Sequence, residues 1–590
     1  MRNFGTLLAS VLLAAGFTSA SPVAAPAPHN VTLNARQNPT EVIIQMFGWS
    51  WDSIAAECEA FIGPAGYSWV QVSPPQEHIT GGQWWTEYQP VSYKIQSKRG
   101  NRSQFQNMVS RCRNSGVRII ADAVINHMSA INSGTGVGGS SFSQFNYPGI
   151  YQRQDFHTCN RNGNNDIMNY NDRYEVQNCE LNNLADLATE SDYVRGKIAA
   201  YLNDLLSLGV EGLRIDAAKH IPTGDISNIL SRLSRVVYIT QEVIFGPGEP
   251  ILPSEYTRNG DVQEFRYTYT LRDAFLGGTI NNLRDFSTWG WVAGGQANAF
   301  VANHDTERDH FATPLKYDSP NNAYVLAHVF SLAHPYGQPS VLSGYSWSNF
   351  DTGAPDNGAG RCSGSGGSGG WLCQHRWLAI SAMVGFRRTV GTAALNNWQS
   401  PANNRIAFGR GTTGFVAINR ATSAWTGTFT TSLPNGSYCD VISGNPVNGA
   451  CSGFAVNVSG GRFTATIPAL SALAVHTGAR GTGTGGGNTP PPASGTVAVN
   501  FRSTATTVLG ENIFVVGSLA QLGAWNPDAA VALSSASYPV WTGTVNVAPN
   551  TEFQYKFLRK GPNGVQWTSD PNFTVRTPAS GSQTLNDSWR

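Results

Sequence analysis

Between residues 40 and 390 the chain alternates two hydrophobic rhythms. Short apolar runs at 42–46, 69–72, 117–125, 212–215, 236–240 and 299–302 have the length of buried strands. Between them apolar positions recur at helical spacing. The clearest case is 192–208, where Val194, Ile198, Tyr201, Leu202, Leu205 and Leu206 share one face and Gly209 stops the helix. Strands regularly separated by helices predict an α/β fold with a parallel sheet, most economically a (β/α)8 barrel over residues 40–394. Residues 128–186 break the rhythm with Gly, Ser and Asn and read as an inserted subdomain.

Beyond residue 395 the rhythm changes. Short runs such as 406–408, 414–418 and 473–475 lie between Gly, Asn and Ser clusters, so 395–476 reads as all-β. Residues 477–495, TGARGTGTGGGNTPPPASG, have a linker composition, flexible first and then stiff. Residues 496–590 alternate apolar and polar positions without a helix period and predict a β-sandwich.

The first residues set the compartment. Arg2, an apolar stretch over 7–15 and the small residues Thr18-Ser19-Ala20 read as a secretory signal peptide over 1–20. That stretch is too short to span a bilayer, so an exported, extracellular protein is expected. Residues 21–39, rich in Ala, Pro and Asn, read as a propeptide or loose arm. Export agrees with eight cysteines and no CxxC pair. The close pairs 362/373 and 439/451 suggest short staples, and spacing leaves the other connectivity open. Sequons stand at Asn30, Asn101, Asn435, Asn457, Asn572 and Asn586.

Composition narrows the partners. A net charge of +1 and 13% charged residues give no basic surface for nucleic acid or an anionic membrane. With 16 Trp among 590 residues, the chain uses rings and amides where others use charge.

In a barrel, chemistry sits where strands end. Asp122 leads to Asn126-His127, Arg214-Ile215-Asp216 leads to Lys219-His220, one strand ends at Glu242, and another at Asn303-His304-Asp305. Asp216, Glu242 and Asp305 are expected on one rim with His127 and His304. Period two puts Arg214 on the same side as Asp216, where its cation is expected to keep that carboxylate ionised. Two carboxylates in unlike environments suit nucleophile and proton donor in glycosidic cleavage. Helix capping is the bland reading for any one of these acids, and it weakens when three recur together.

The segments DAVINH (122–127), GLRIDAAKH (212–220), QEVI (241–244) and VANHD (301–305) resemble, in order, the four hallmark segments of the α-amylase family, glycoside hydrolase family 13. WWTEYQPVSY (84–93), HPYG (334–337) and CQHRW (373–377) extend the likeness to animal-type members. The resemblance implies a retaining mechanism with Asp216 as nucleophile, Glu242 as acid/base and Asp305 as stabiliser of the transition state. It implies sugar contacts from Trp85, Tyr88, Gln89, His127, Arg214, Lys219, His220 and His304, although Trp84 and Trp85 also fit plain core packing.

The resemblance further implies a structural Ca²⁺ on the side chains of Asn126 and Asp186 and the carbonyls of Gln177 and His220. It implies disulfides Cys58–Cys112, Cys159–Cys179, Cys362–Cys373 and Cys439–Cys451. Relatives that bind chloride use two basic residues and an Asn. Arg214 and Asn303 match two of these, but the third position holds Ser340, so chloride is not expected to be required.

Residues 496–590 resemble a starch-binding module of carbohydrate-binding family 20 through 510–525, 553–560, 565–572 and the terminal NDSWR. The likeness implies a sugar site at Trp525 and Trp567 with Lys556 and Asn572, free of glycan at the Asn572 sequon. A second site at Tyr538 is weakened by Leu509. The expected protein is a monomeric, endo-acting hydrolase of α-1,4-glucan. An exo-acting or transglycosylating enzyme on the same scaffold is the near alternative, and a non-catalytic starch-binding protein the distant one.

Overall fold

The computed structural model describes residues 40–161, 163–308, 313–483, 497–508, 510–561, 564–578 and 582–590. The expected signal peptide and arm (1–39), most of the linker, and Leu509 lie outside the described residues.

Eight strands close into a parallel barrel, each paired to its sequence neighbour and the last to the first. They are β1 (Ile43–Met46), β2 (Trp69–Val72), β3 (Arg118–Ala123), β4 (Gly212–Ile215), β5 (Tyr238–Glu242), β6 (Asp261–Gln263), β7 (Ala297–Phe300) and β8 (Gln338–Ser343). The apolar runs locate six of them. The other two escape for physical reasons: β6 is three residues long and carries Asp and Gln, and β8 contains Pro339. Gly337 enters β8 at φ +71°, and a Cβ there would meet that of Ala299 at 2.7 Å, so the turn between HPY and the strand requires glycine.

Helices pack outside the barrel: α1 (Trp51–Glu57), α2 (Arg102–Asn114), α3 (Asp192–Ser207), α4 (Thr223–Ser231), α5 (Phe265–Gly277), α6 (Ala323–Ala333) and α7 (Leu378–Val390). In α3 the predicted face is the buried one, and Gly209 follows at φ +99°. Among the described residues, the segment between β3 and α3 holds a short hairpin, Ser133–Thr135 with Ser141–Ser143, a 3₁₀ turn at Arg153–Asp155 and a helical turn at Arg173–Asn178. All four expected disulfides are formed.

After α7 comes an antiparallel sheet of Leu395–Ala402, Arg405–Arg410, Gly414–Asn419 and Ser471–His476, with shorter two-stranded sheets beside it. Arginines from this region dock on helix ends. Arg410, 1% exposed, donates to the carbonyls of Ala393 and Gly391 at 2.7 and 2.8 Å and to that of Ala333, the last residue of α6. Arg420 donates to Phe275 and Leu276 at the end of α5. A cation belongs at a helix C-terminus, where carbonyls lack partners. Arg410→Met strands three buried acceptors and is expected to cost about 3 kcal/mol. The loss is read as a lower melting temperature, with activity at 25 °C retained.

The tail from residue 497 forms two sheets around their own apolar core. A four-stranded sheet of Ser534–Ser537, Val540–Val547, Val497–Thr504 and Ser582–Ser588 carries Phe501 and Trp541. A five-stranded sheet centred on Asn512–Gly517 and Glu552–Gly561 carries Ile513, Val515 and Phe557. The predicted sandwich is present.

Candidate active site

The rim formed by the C-terminal ends of β3, β4, β5 and β7 gathers the expected carboxylates around one cation. Arg214 on β4 is fully buried. Its Nη1 donates to Asp122 at 2.6 Å and Asp216 at 2.8 Å, and its Nη2 pairs with Glu242 at 2.7 Å. Gln263 from β6 accepts from its Nε at 3.4 Å. One guanidinium therefore ties three successive strand ends together. The residue after Asp216, Ala217, sits at φ +47°, a strained value for a side chain with a Cβ, and its N–H donates to Glu242 Oε2 at 2.7 Å. The strain aims a backbone donor at the second carboxylate.

Asp305 follows β7. It accepts from Asn303 Nδ2 at 3.3 Å and lies 3.3 Å from His304 Nε2. Gln45 Nε2 donates to His304 Nδ1 at 2.9 Å, which leaves the ring proton on Nε2, facing Asp305. The imidazole is stacked between Phe47 and Tyr88, with centroids 4.8 and 5.1 Å away. Burial holds His304 well below the usual histidine range, and it lowers His127 to about 4. Both are neutral hydrogen-bonding groups at pH 7. His127 Nε2 donates to the Tyr88 carbonyl at 3.1 Å.

The electrostatics correct one expectation. Arg214 does not simply hold Asp216 ionised, because it is shared. Burial and the nearby Glu242 push the Asp216 carboxyl well above its ordinary range, against the pull of Arg214. Burial likewise raises Asp305 to about 7 and Asp122 to about 6. Three buried acids, with the partly open Asp305 beside them, face one permanent cation, so the cluster favours protonated forms more than isolated carboxyls do. A site of this kind offers a carboxylate and a carboxylic acid together. Arg214, expected among the sugar contacts, lies beneath them as their common anchor.

A short 3₁₀ turn, Trp84–Tyr88, forms the aromatic wall. Trp85 donates from its indole to Asp351 at 2.8 Å, Tyr88 donates to Asp122 Oδ2 at 3.0 Å, and Gln89 Oε1 accepts from the Ala130 N–H at 3.1 Å. Trp84, 7% exposed, is the packing member of the pair, while Trp85 is partly open. Lys219 pairs with Glu249 at 2.5 Å under Tyr170, on the same side as the insert. Asp122, Asp351 and Gln45 belong to the site, and only Asp122 had a signal in the sequence, as the strand-end acid of DAVINH.

The residues expected around calcium fall into two pairs, Asn126 with Asp186 and Gln177 with His220. Asn126 Nδ2 lies 3.2 Å from Asp186 Oδ1, and residues 127 and 186 form a bridge. His220 Nδ1 donates to the Val176 carbonyl at 2.9 Å, beside Gln177, so its ring joins the insert to the barrel. Tyr256 OH contacts Gln177 Nε2 and the carbonyls of Lys219 and Ile221 on either side of His220. His157, absent from the expected set, donates to Asp186 Oδ2 at 2.6 Å. Burial pushes the Asp186 carboxyl up to about 7 despite His157. A buried carboxylate, a side-chain amide and backbone carbonyls are donor types that suit a hard cation such as Ca²⁺. At the expected chloride position, Ser340 is buried in β8, and Asn303 Oδ1 accepts from the N–H groups of Asp305 and Thr306.

In the tail, Trp567 is 40% exposed on a strand and Trp525 is half-buried in a turn. Lys556 pairs with Asp570 at 2.5 Å, and Asn572 donates to Gln554 at 2.9 Å. Tyr538 is half exposed, its ring edge-on to Trp541.

Comparison with known proteins agrees with this geometry. Family models match at residues 70–248 (α-amylase, catalytic domain), 396–478 (α-amylase, C-terminal all-beta domain) and 496–587 (starch binding domain). The chain is 49% identical to an α-amylase of Streptomyces violaceus over 99% of both chains. It is 44% identical to one of Thermomonospora curvata over 100% of this chain and 99% of that one. Among solved structures, a glutamate-to-glutamine variant of α-amylase I from Eisenia fetida, in complex with maltohexaose, is similar at a TM-score of 0.69. It shares 36% identity, over 75% of this chain and 98% of that chain. The chain belongs to the α-amylase family.

Proposed function

We propose that this chain is a secreted, endo-acting hydrolase of α-1,4-glucosidic bonds that attacks starch held by its own C-terminal module. Hydrolysis and binding of starch follow from the family and its tail. The observation that carries the catalytic reading is the single Arg214 guanidinium that holds Asp122, Asp216 and Glu242 on one rim, beside Asp305 and an aromatic turn.

In this reading Asp216 attacks the anomeric carbon while Glu242 gives its proton to the departing glycosidic oxygen. A β-glycosyl ester forms on Asp216. Glu242, now a carboxylate, takes a proton from water as the water oxygen displaces Asp216, so the α-configuration is restored. Asp305 and the Nε2 proton of His304 bind ring hydroxyls, and their bonds tighten as charge develops. The Ala217 N–H fixes Glu242, and Arg214 fixes both carboxylates. Trp85 and Tyr88 offer flat faces to the apolar side of a glucose ring, with Gln89, His127, Lys219 and His220 lining the same cleft.

Calcium is assigned to Asn126, Asp186 and the carbonyls of Gln177 and His220. When bound it neutralises Asp186 and pins the insert against the barrel. The Ser340 substitution supports activity that does not depend on chloride. The secreted reading rests on the N-terminal 1–20 pattern and four disulfides, and no described helix is long and apolar enough to cross a membrane. The domain limits that follow are signal 1–20, arm 21–39, barrel 40–394 with insert 128–186, all-β domain 395–476, linker 477–495 and starch-binding sandwich 496–590. Trp525 and Trp567, with Lys556 and Asn572, form the main site of that sandwich, and Tyr538 belongs to a second.

The test is a time course on soluble amylose that follows iodine colour against reducing ends, with and without chloride. Endo action is expected to collapse the colour before many ends appear, at a rate unchanged by chloride. One short sugar accumulating while colour persists assigns the enzyme to the exo class.

A further inference from the structure

The aromatic wall stands on a short element with a weak N-terminal end. Trp84–Tyr88 is a five-residue 3₁₀ turn without a side-chain bond at its N-cap. The bonds at its two ends are long, Thr86 N–H to the Gln83 carbonyl at 3.4 Å and Gln89 N–H to the Thr86 carbonyl at 3.3 Å. Yet this turn must keep Trp85 and Tyr88 in register with Asp122 and His304.

Support comes from behind. The strands Pro90–Ser97 and Gly100–Asn101 form a tight hairpin whose two tip residues are Lys98 and Arg99. The Lys98 ammonium, with a side chain only 18% exposed, donates to the Gln83 carbonyl at 2.6 Å, Thr86 Oγ1 at 2.7 Å and the Gly81 carbonyl at 3.4 Å. Thr86 Oγ1 in turn donates to the Gln83 carbonyl at 2.8 Å. Three donors on one nitrogen thus reach the residues before the turn and its middle. Glu87, within the turn, is 1% exposed and faces away from the cleft, where it meets the Arg99 guanidinium and lies 3.8 Å from Lys98. The Lys98 N–H donates to His78 Nε2 at 3.1 Å, and His78 Nδ1 donates to the Ile79 carbonyl at 2.7 Å, so the neutral ring locks the hairpin tip to the strand Gln76–His78.

We propose that Lys98 is a positioning residue for glucan binding, a half-buried ammonium that clamps the Trp84–Tyr88 turn so that its rings are preorganised for sugar. The Glu87–Arg99 pair completes the clamp. Their contacts run to the turn, to the residues before it and to one another, so they act through the rings. Loss of the clamp leaves the carboxylates and Arg214 in place and costs binding rather than chemistry. The proposal rests on Trp85 and Tyr88 being the glucan platform.

The experiment is steady-state hydrolysis of maltoheptaose by the full chain carrying Lys98→Met, Lys98→Arg, Thr86→Val or Trp85→Ala. Lys98→Met is expected to raise KM about tenfold, the scale of one charge-assisted hydrogen bond, with kcat changed by less than about twofold. Lys98→Arg recovers most of the affinity, because a guanidinium reaches the same acceptors. Thr86→Val, which deletes one hydroxyl and keeps the fold, raises KM by a smaller factor. If Trp85→Ala raises KM while Lys98→Met and Thr86→Val do not, the clamp is overturned and the platform stands. If Trp85→Ala itself leaves KM unchanged, the platform reading fails, and the proposal falls with it. An equal fall in kcat and kcat/KM in Thr86→Val also overturns the clamp, since that pattern places the loss in the chemical step.

Discussion

Asp216→Asn and Glu242→Gln are each expected to lower kcat on soluble starch by about 10⁴-fold or more, while binding to granular starch persists. The two losses have different origins. Asparagine at 216 cannot form the glycosyl ester, so the double displacement has no first step. Glutamine at 242 leaves the nucleophile but supplies no proton to the departing oxygen. An activated substrate separates the two. A glucoside with a good leaving group needs little protonation, so Glu242→Gln forms the ester readily and then stalls, because no base activates water. Asp216→Asn remains inert on the same compound. Both substitutions preserve shape, and neither lies in the tail, whose own core is built from residues between Val497 and Trp589. Full turnover by either variant removes the assignment, and loss of granule binding together with activity points to misfolding.

These residues were legible because barrel chemistry concentrates at strand ends, and strands are what hydrophobic pattern shows best. The runs ending at Asp122, Asp216 and Glu242 are continuous and buried, and the acids stand out against them. Legibility fails where a strand is short or polar. Asp261–Gln263 carries Gln263, a partner of Arg214, yet three residues give no period to read. It fails again for contacts made across long sequence separation. Gln45 sets the His304 tautomer from 259 residues away, and Asp351 meets Trp85 from 266 away. Nothing local marks either. At Asp216 the Arg214 spacing visible along one strand gives the right pull, but burial and Glu242 on the neighbouring strand outweigh it, and neither is marked locally in the sequence.

That competition leads to the second large effect. Arg214→Lys is expected to lower kcat/KM by about 10²- to 10³-fold and to move the acid limb of its pH profile upward. A lysine keeps the charge but offers a single nitrogen, where the guanidinium serves Asp122 and Asp216 through Nη1 and Glu242 through Nη2. The direction of the pH shift follows from the protonation states. Burial already raises Asp216, Asp122 to about 6 and Asp305 to about 7, and Arg214 opposes each rise. The nucleophile must be ionised, so activity falls as pH drops through the range of the cluster. Weakening the cation favours the protonated forms, so protons bind at higher pH and the fall begins earlier. Arg214→Gln, with no charge, is expected to move the limb further in the same direction. A profile that keeps its acid limb while the rate drops in both variants assigns Arg214 to geometry alone, and the shared protons to burial and to the carboxylates' mutual repulsion.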